Sequence, residues 1–167
     1  MDALITAVEE AKRRNIPTVV VASTTGKTAR RLLELVRAEA LAVVVVTHDE
    51  GKPPQERRFD RKVRSELEAS GIRVYTHNPR NILVRKIIGR LFGRFGFPRW
   101  YKHLSAVKEK YGTGIKVCHI ITEMLIEDGI LEEGRVVAVA GRKSGADSVC
   151  IFTVKPKGWP VLEEVIK

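Results

Sequence analysis

A loop of hydroxyl, glycine and lysine residues runs from Ser23 to Thr28, directly after the β-branched run Thr18 to Val21. The run is typical of a buried strand, and apolar residues at helical spacing between Ala29 and Val36 predict a helix after the loop. Such a junction gathers unpaired N–H groups, hydroxyls and the positive end of a helix dipole, which suits a phosphate. We therefore predict an anion site, the alternative being that Thr24 or Thr25 only caps the helix. Its residues are Ser23, Thr24, Thr25, Gly26, Lys27 and Thr28.

The same loop differs from the P-loop of nucleotide-binding proteins at one position. The P-loop pattern has a glycine five residues before its Gly-Lys-Thr, and here that position is Val21. Without this glycine the loop is not expected to wrap a triphosphate. A single phosphate group is the ligand that the sequence favours.

Polar residues also follow the later strands of the predicted fold. Strands are predicted at Ala42 to Thr47, Ile72 to Thr76, Arg135 to Ala140 and Ser148 to Val154. Because ligands of open parallel sheets bind beyond the carboxyl ends of the strands, the polar residues at those ends extend the predicted site. They are Thr47, His48, His77, Gly141, Ser144, Gly145 and Asp147.

The order of strands and helices predicts the fold class. Strands that alternate with helices favour right-handed crossovers and a parallel sheet. The connection between the last two predicted strands has about seven residues, which is too short for a parallel crossover, so the last strand should be antiparallel. We predict one α/β domain over residues 1–167, with three α/β/α layers and about five strands, mostly parallel.

The composition limits the classes of partner. The 167 residues carry a net charge of +10, which favours anionic partners such as phosphorylated small molecules or nucleic acid. Cys118 and Cys150 have no paired spacing, and the first residues read as an amphipathic helix, so we expect a cytoplasmic protein without membrane association. The 30% share of charged residues is also compatible with a thermophilic source.

A basic and aromatic segment spans residues 85–102. Such interleaving can stack on nucleic acid or lie on a membrane surface, although it is more often an interface with a solvated edge. We therefore keep a nucleic-acid-binding module as an alternative function. The segment's basic and aromatic residues are Arg85, Lys86, Arg90, Phe92, Arg94, Phe95, Phe97, Arg99, Trp100, Tyr101 and Lys102.

The histidines do not form a recognisable catalytic pattern. His48 and His77 follow neighbouring strands, but no third metal ligand is evident, so hydrogen bonding to a ligand is favoured over a metal site. His103 and His119 fall on helical stretches and are interpreted as structural or surface groups. No nucleophile elbow or pair of catalytic carboxylates is present, and whether the protein is an enzyme stays open.

Several motifs together resemble one family: Val20-Val-Ala-Ser-Thr-Thr-Gly26, Val43-Val-Val-Val-Thr-His48, Gly114-Ile-Lys-Val-Cys118 and Val137-Ala-Val-Ala-Gly-Arg142, with Gly145-Ala-Asp147. The chain is similar to the stand-alone archaeal and bacterial proteins that resemble the carboxy-terminal α/β domain of pyruvate kinase. The resemblance covers nearly the whole chain apart from residues 92–103.

That resemblance implies flavin mononucleotide (FMN) as the ligand and no pyruvate kinase activity, because the catalytic barrel is a separate domain. It places the phosphate at Ser23 to Thr28 and the ring near Thr47, His48, His77 and the 141–147 connection. A flavin-dependent oxidoreductase with His48 or His77 as proton donor is a further alternative. A homo-oligomer is compatible with a parallel sheet of this size.

Overall fold

Six strands form one sheet in the computed structural model, which describes residues 2–47, 59–76, 99–141, 145–155 and 158–167, with the backbone alone for 99–102. The order across the sheet is β3-β2-β1-β4-β5-β6. The strands are β1 (Thr18–Ala22), β2 (Ala42–Thr47), β3 (Arg73–Thr76), β4 (Gly134–Ala140), β5 (Ser148–Val154) and β6 (Val161–Val165).

The predicted mixture of strand directions is confirmed. Strands β1 to β4 are mutually parallel, whereas β5 and β6 are antiparallel to their neighbours. Strand β6 was not predicted, because Glu163 and Glu164 interrupt its apolar alternation and both are exposed. A half-solvated edge strand gives a weak periodic signal.

Helices cover both faces of the sheet. Helices α1 (Ala3–Arg13), α2 (Lys27–Val36) and α3 (Arg61–Ala69) share one core with alternate residues of the strands, such as Val21 and Val139. Helices α4 (Arg99–Tyr111) and α5 (Thr113–Glu127) contribute to the cores on the opposite face, with Val20 and Phe152. The α/β/α layering is therefore as predicted.

Helix starts follow their capping residues. The Asp2 side chain accepts a hydrogen bond from the Leu4 N–H group, and Asp60 accepts from Lys62 and Val63. The cap at Asp60 explains why α3 begins at Arg61. The apolar residues between Asn81 and Phe92 predict a further helix by their spacing, and they lie outside the described residues.

The topology defines where a ligand would meet the sheet. The chain leaves β1 toward β2 on one side and returns later to β4 on the other, so the switch in strand order lies between β1 and β4. The carboxyl ends of β1 to β4 meet at one edge, and α2 begins at that edge. Among the described helices, none combines the length and apolar composition needed to cross a lipid bilayer.

Candidate functional site

Three hydroxyl side chains form a row where the parallel strands end. Thr47 pairs in register with Thr76, and Ser23 stands one residue beyond the last parallel pair of β1 with β2, where its N–H group still donates to the Val46 carbonyl at 3.0 Å. By strand alternation, all three hydroxyls lie on the face that packs α2 and α3. The row brings the end of β1 next to the ends of β2 and β3, as the sequence predicted.

The turn before α2 leaves backbone donors available. Gly26 is the N-cap, with φ of 93° and no side-chain cap, so neither Thr24 nor Thr25 caps the helix. The Ser23 hydroxyl accepts from the Ala29 N–H group at 3.4 Å. The N–H groups of Lys27 and Thr28 donate to no residue that the structure describes, as expected for the first helical positions.

One flank of this turn is covered by α3. A Cβ on Gly26 would lie 2.9 Å from Cγ1 of Val63 and 3.4 Å from the ring of Phe59. The Asp60 N–H group also donates to the Thr25 carbonyl at 3.3 Å. The α3 side of the turn is therefore closed, while Lys27 is exposed and Thr24, Thr25 and Thr28 are half-buried.

The Thr47 hydroxyl has no hydrogen-bond partner within the described structure, although the residue is only 3% exposed. Its neighbours in the row are satisfied: Ser23 as above, and Thr76 by the Arg64 guanidinium, which donates to its hydroxyl at 2.6 Å. Arg64 lies on α3 outside any motif, so no sequence pattern indicates its part in this row. A buried hydroxyl without a partner is uncommon, because its desolvation is not offset.

The described parts of the connection between β4 and β5, residue 141 and residues 145–147, lie close to one another and to α5. A Cβ on Gly141 would lie 1.7 Å from the Gly145 carbonyl oxygen, so only glycine fits there. The Asp147 N–H group donates to the Ala140 carbonyl at 3.0 Å, and its side chain accepts from the Ser148 hydroxyl at 2.7 Å. A Cβ on Gly114 would meet the same carboxylate at 2.9 Å. Asp147 thus supplies a negative charge beside the first turn of α5.

Three predicted site residues, His48, His77 and Ser144, lie outside the described residues, so the predicted meeting of the two histidines stays a prediction. The same holds for residues 85–98 of the basic and aromatic segment. In the described part of the chain, no three His, Cys, Asp or Glu side chains are grouped to hold a metal ion.

A histidine pair links α4 to α5, which sequence reasoning did not foresee because the two residues are distant along the chain. Nε2 of His103 and Nε2 of His119 are 3.0 Å apart. His119 is 1% exposed, and burial, followed by the proximity of His103, lowers the pKa of His119 to about 4. Nδ1 of His119 has no partner within the described structure.

Cys118 and Cys150 are both free and buried, in line with the absence of a disulfide pattern. Burial, as the largest cause, and the neighbouring Cys150 thiol raise the pKa of Cys118 well above its usual value. A thiol of this kind is a structural group rather than a nucleophile.

Comparisons with known proteins identify no family. No protein-family model matches the chain. Among solved structures, the chain is similar to the crystal structure of O-ureido-L-serine synthase, with 15% identity and a TM-score of 0.34, over 82% of this chain and 50% of that one. The chain therefore spans half the length of that structure, and a likeness this low indicates nothing about its function.

Proposed function

We propose that the protein binds a phosphate-bearing ligand at the carboxyl ends of its parallel strands, with FMN as the favoured ligand. The proposal rests above all on the turn from Ser23 to Thr28. Its supporting features are the two N–H groups of Lys27 and Thr28, the exposed ammonium of Lys27 and a helix that starts without an acidic residue in its first turn. Together they would stabilise a dianionic phosphate.

The nearby carboxylates do not oppose this assignment. Asp60 lies at the start of α3, beside the closed side of the turn. Its Oδ1 accepts hydrogen bonds from the N–H groups of Lys62 and Val63 at 2.7 and 3.3 Å. Asp147 is engaged by Ser148 beside α5. Among the described helices that begin at this edge, α2 is therefore the one whose positive dipole end has no carboxylate of its own.

The Thr47 hydroxyl is a second support. It lies beside Ser23 in the hydroxyl row, and a ligand oxygen or N–H group would provide the partner that it lacks. The family resemblance to stand-alone pyruvate kinase C-terminal-like proteins supports FMN in particular, with the ring beyond β2 and β3. On this proposal the chain holds no pyruvate kinase activity.

A titration with two flavins tests the proposal. FMN and riboflavin share the isoalloxazine ring, and only FMN carries a phosphate. The protein should therefore quench the fluorescence of FMN at a lower protein concentration than it needs to quench that of riboflavin. Lys27→Ala should weaken FMN binding by about 1 to 3 kcal/mol and leave riboflavin binding unchanged, because a charge-assisted hydrogen bond is lost only with the phosphate.

The matched control is Lys12→Ala, which removes an exposed lysine from α1 that pairs with Glu39 at 2.6 Å. It should leave both flavin affinities unaltered. If Lys27→Ala and Lys12→Ala bind FMN equally well, the phosphate does not lie at α2. If neither flavin binds the unmodified protein, FMN is wrong as the ligand.

A further inference from the structure

The hydroxyl row at the carboxyl ends of β1, β2 and β3 has donors that the protein itself does not use. The Ser23 oxygen accepts from the Ala29 N–H group at 3.4 Å, and the Thr76 oxygen accepts from Nη2 of Arg64 at 2.6 Å. In both cases the oxygen is the acceptor, so the hydroxyl hydrogen is left over. The described part of the chain offers no acceptor to either hydrogen, and none to the buried Thr47 hydroxyl between them.

These donors select the kind of ligand atom that can meet the row. A hydroxyl hydrogen needs an acceptor, and a ligand N–H group would leave these hydrogens unpaired. A carbonyl, carboxylate or phosphate oxygen offers lone pairs to them. Thr47 taken alone fits a donor or an acceptor, but the row as a whole favours acceptor oxygens.

The spacing of the strands divides the row into two parts. Neighbouring strands lie about 4.8 Å apart, so two spacings, or about 10 Å, separate the hydroxyls of Ser23 and Thr76. Ser23 is tied to the first turn of α2 through Ala29. A phosphate on the N–H groups of Lys27 and Thr28 is narrower than one spacing, so it reaches the Ser23 end of the row and not Thr76. An oxygen that meets Thr76 must come from another part of the ligand.

Arg64 fixes the Thr76 end of the row. Its guanidinium carbon lies over the Phe59 ring, 5.6 Å from the centroid, and Nη1 is 3.5 Å from the Glu68 carboxylate. The same Phe59 ring closes the flank of Gly26, so one side chain supports both ends of the row. Because the guanidinium occupies one side of the Thr76 oxygen, the hydroxyl hydrogen points away from Arg64.

On the basis of the phosphate site proposed above, we propose that Thr76, positioned by Arg64, is a second subsite, which donates to a carbonyl oxygen on the ligand's ring. Thr76 is half-buried, so a ligand can reach its hydroxyl. A phosphate ester with a carbonyl-bearing ring at its other end matches both ends of the row, and FMN belongs to this class. Thr76 contacts the ligand, whereas Arg64 acts through the Thr76 hydroxyl and is a positioning residue.

Fluorescence titrations of FMN and of riboflavin with each variant separate the two ends of the row. Both flavins carry the ring carbonyls, so Thr76→Val should weaken the binding of each by about 3- to 10-fold, through the loss of one hydrogen bond. Lys27→Ala should weaken the binding of FMN alone. The matched control is Thr18→Val, which changes a half-buried threonine at the amino end of β1 and should leave both affinities unchanged.

A double substitution tests the positioning role. If Arg64 acts through the Thr76 hydroxyl, Arg64→Met should weaken both flavins about as much as Thr76→Val does. The combined variant should then bind no more weakly than Thr76→Val alone. Additive losses would show that Arg64 does not act through Thr76. Circular dichroism checks that each variant is folded, and if Arg64→Met is not, Arg64→Lys takes its place in the same cycle.

The failure of this subsite differs from the failure of the phosphate site. Equal affinities of Thr76→Val and Thr18→Val for both flavins would overturn the subsite alone. A loss for FMN without a loss for riboflavin would place Thr76 at the phosphate and would also overturn it. Binding that depends on Thr76 but not on Lys27 would support the subsite and contradict the phosphate site. If the unmodified protein binds neither flavin, both proposals fail.

Discussion

At the residue scale, the Thr47 hydroxyl separates a binding role from a structural one. A structural hydroxyl stabilises the ligand-free protein, whereas a buried hydroxyl without a partner destabilises it. Thr47→Val has nearly the same shape, so it should raise the free energy of unfolding of the ligand-free protein by about 1 kcal/mol. The same variant should weaken FMN binding, because the ligand's partner is lost.

Thr122 provides the matched control. Its hydroxyl is fully buried on α5 but donates to the Cys118 carbonyl at 2.8 Å. Thr122→Val should therefore lower the free energy of unfolding by about 1 kcal/mol. Urea denaturation of both variants without ligand gives the comparison. If Thr47→Val lowers the free energy of unfolding as much as Thr122→Val does, Thr47 has no ligand-binding role.

Residue types and spacing predicted part of the candidate site. The strand-to-helix junction at Ser23 to Thr28 could be predicted because it is local: strand, loop and helix signals lie within twenty residues. Arg64 bound to Thr76 and the closure of Gly26 by Val63 depend on how α3 packs, and no local pattern encodes that packing.

At the element scale, the contact between α4 and α5 should depend on pH. Nδ1 of His119 faces no acceptor within the described structure, so the arrangement that avoids a buried unpaired N–H places the proton on Nε2, which donates to His103. A protonated His119 would bury both a charge and a second N–H group. The neutral form is therefore the one that the folded protein retains.

The sign of the pH effect follows from the pKa of His119. Its folded value of about 4 lies below the ordinary 6.5, so His119 contributes stability that is fully present above pH 6.5 and is lost as the pH falls toward 4. The loss is about 3 kcal/mol across that interval. Chemical denaturation at several pH values measures this loss. Between pH 6.5 and pH 4 the free energy of unfolding should fall less for His119→Met than for the unmodified protein, because the contributions of the carboxylates are common to both. Parallel pH profiles would exclude His119 as the cause.

The elements themselves were predictable to different degrees. Strands β1, β2, β4 and β5 are buried apolar runs, and their existence and directions follow from the sequence. The edge strand β6 was missed because half of it is solvated, and its pairing with β5 is set by tertiary contact.

At the scale of the whole molecule, the sheet brings the parts of the candidate site together at one edge. The carboxyl ends of β1 to β4 carry the hydroxyl row and the start of α2, whereas the amino ends of these strands lie at the opposite edge.

A depression between the far ends of α2 and α3 is the competing location for a small ligand. Its lining includes Arg37, Glu39 and Ser70, and it lies at the amino ends of β2 and β3. Arg37 is its single cationic side chain among the lining residues, and no helix begins there. The positive dipole ends of α2 and α3 lie at the opposite edge of the sheet, so that edge is the more favourable one for a phosphate.

Amide chemical shifts of the ¹⁵N-labelled protein test the central claim most directly. On titration with FMN, the N–H signals of Lys27 and Thr28 should move downfield as they donate to the phosphate, and riboflavin should leave them in place. Shifts that are confined to residues around Arg37 and Ser70, or equal shifts of Lys27 and Thr28 with both flavins, would contradict a phosphate site at the start of α2.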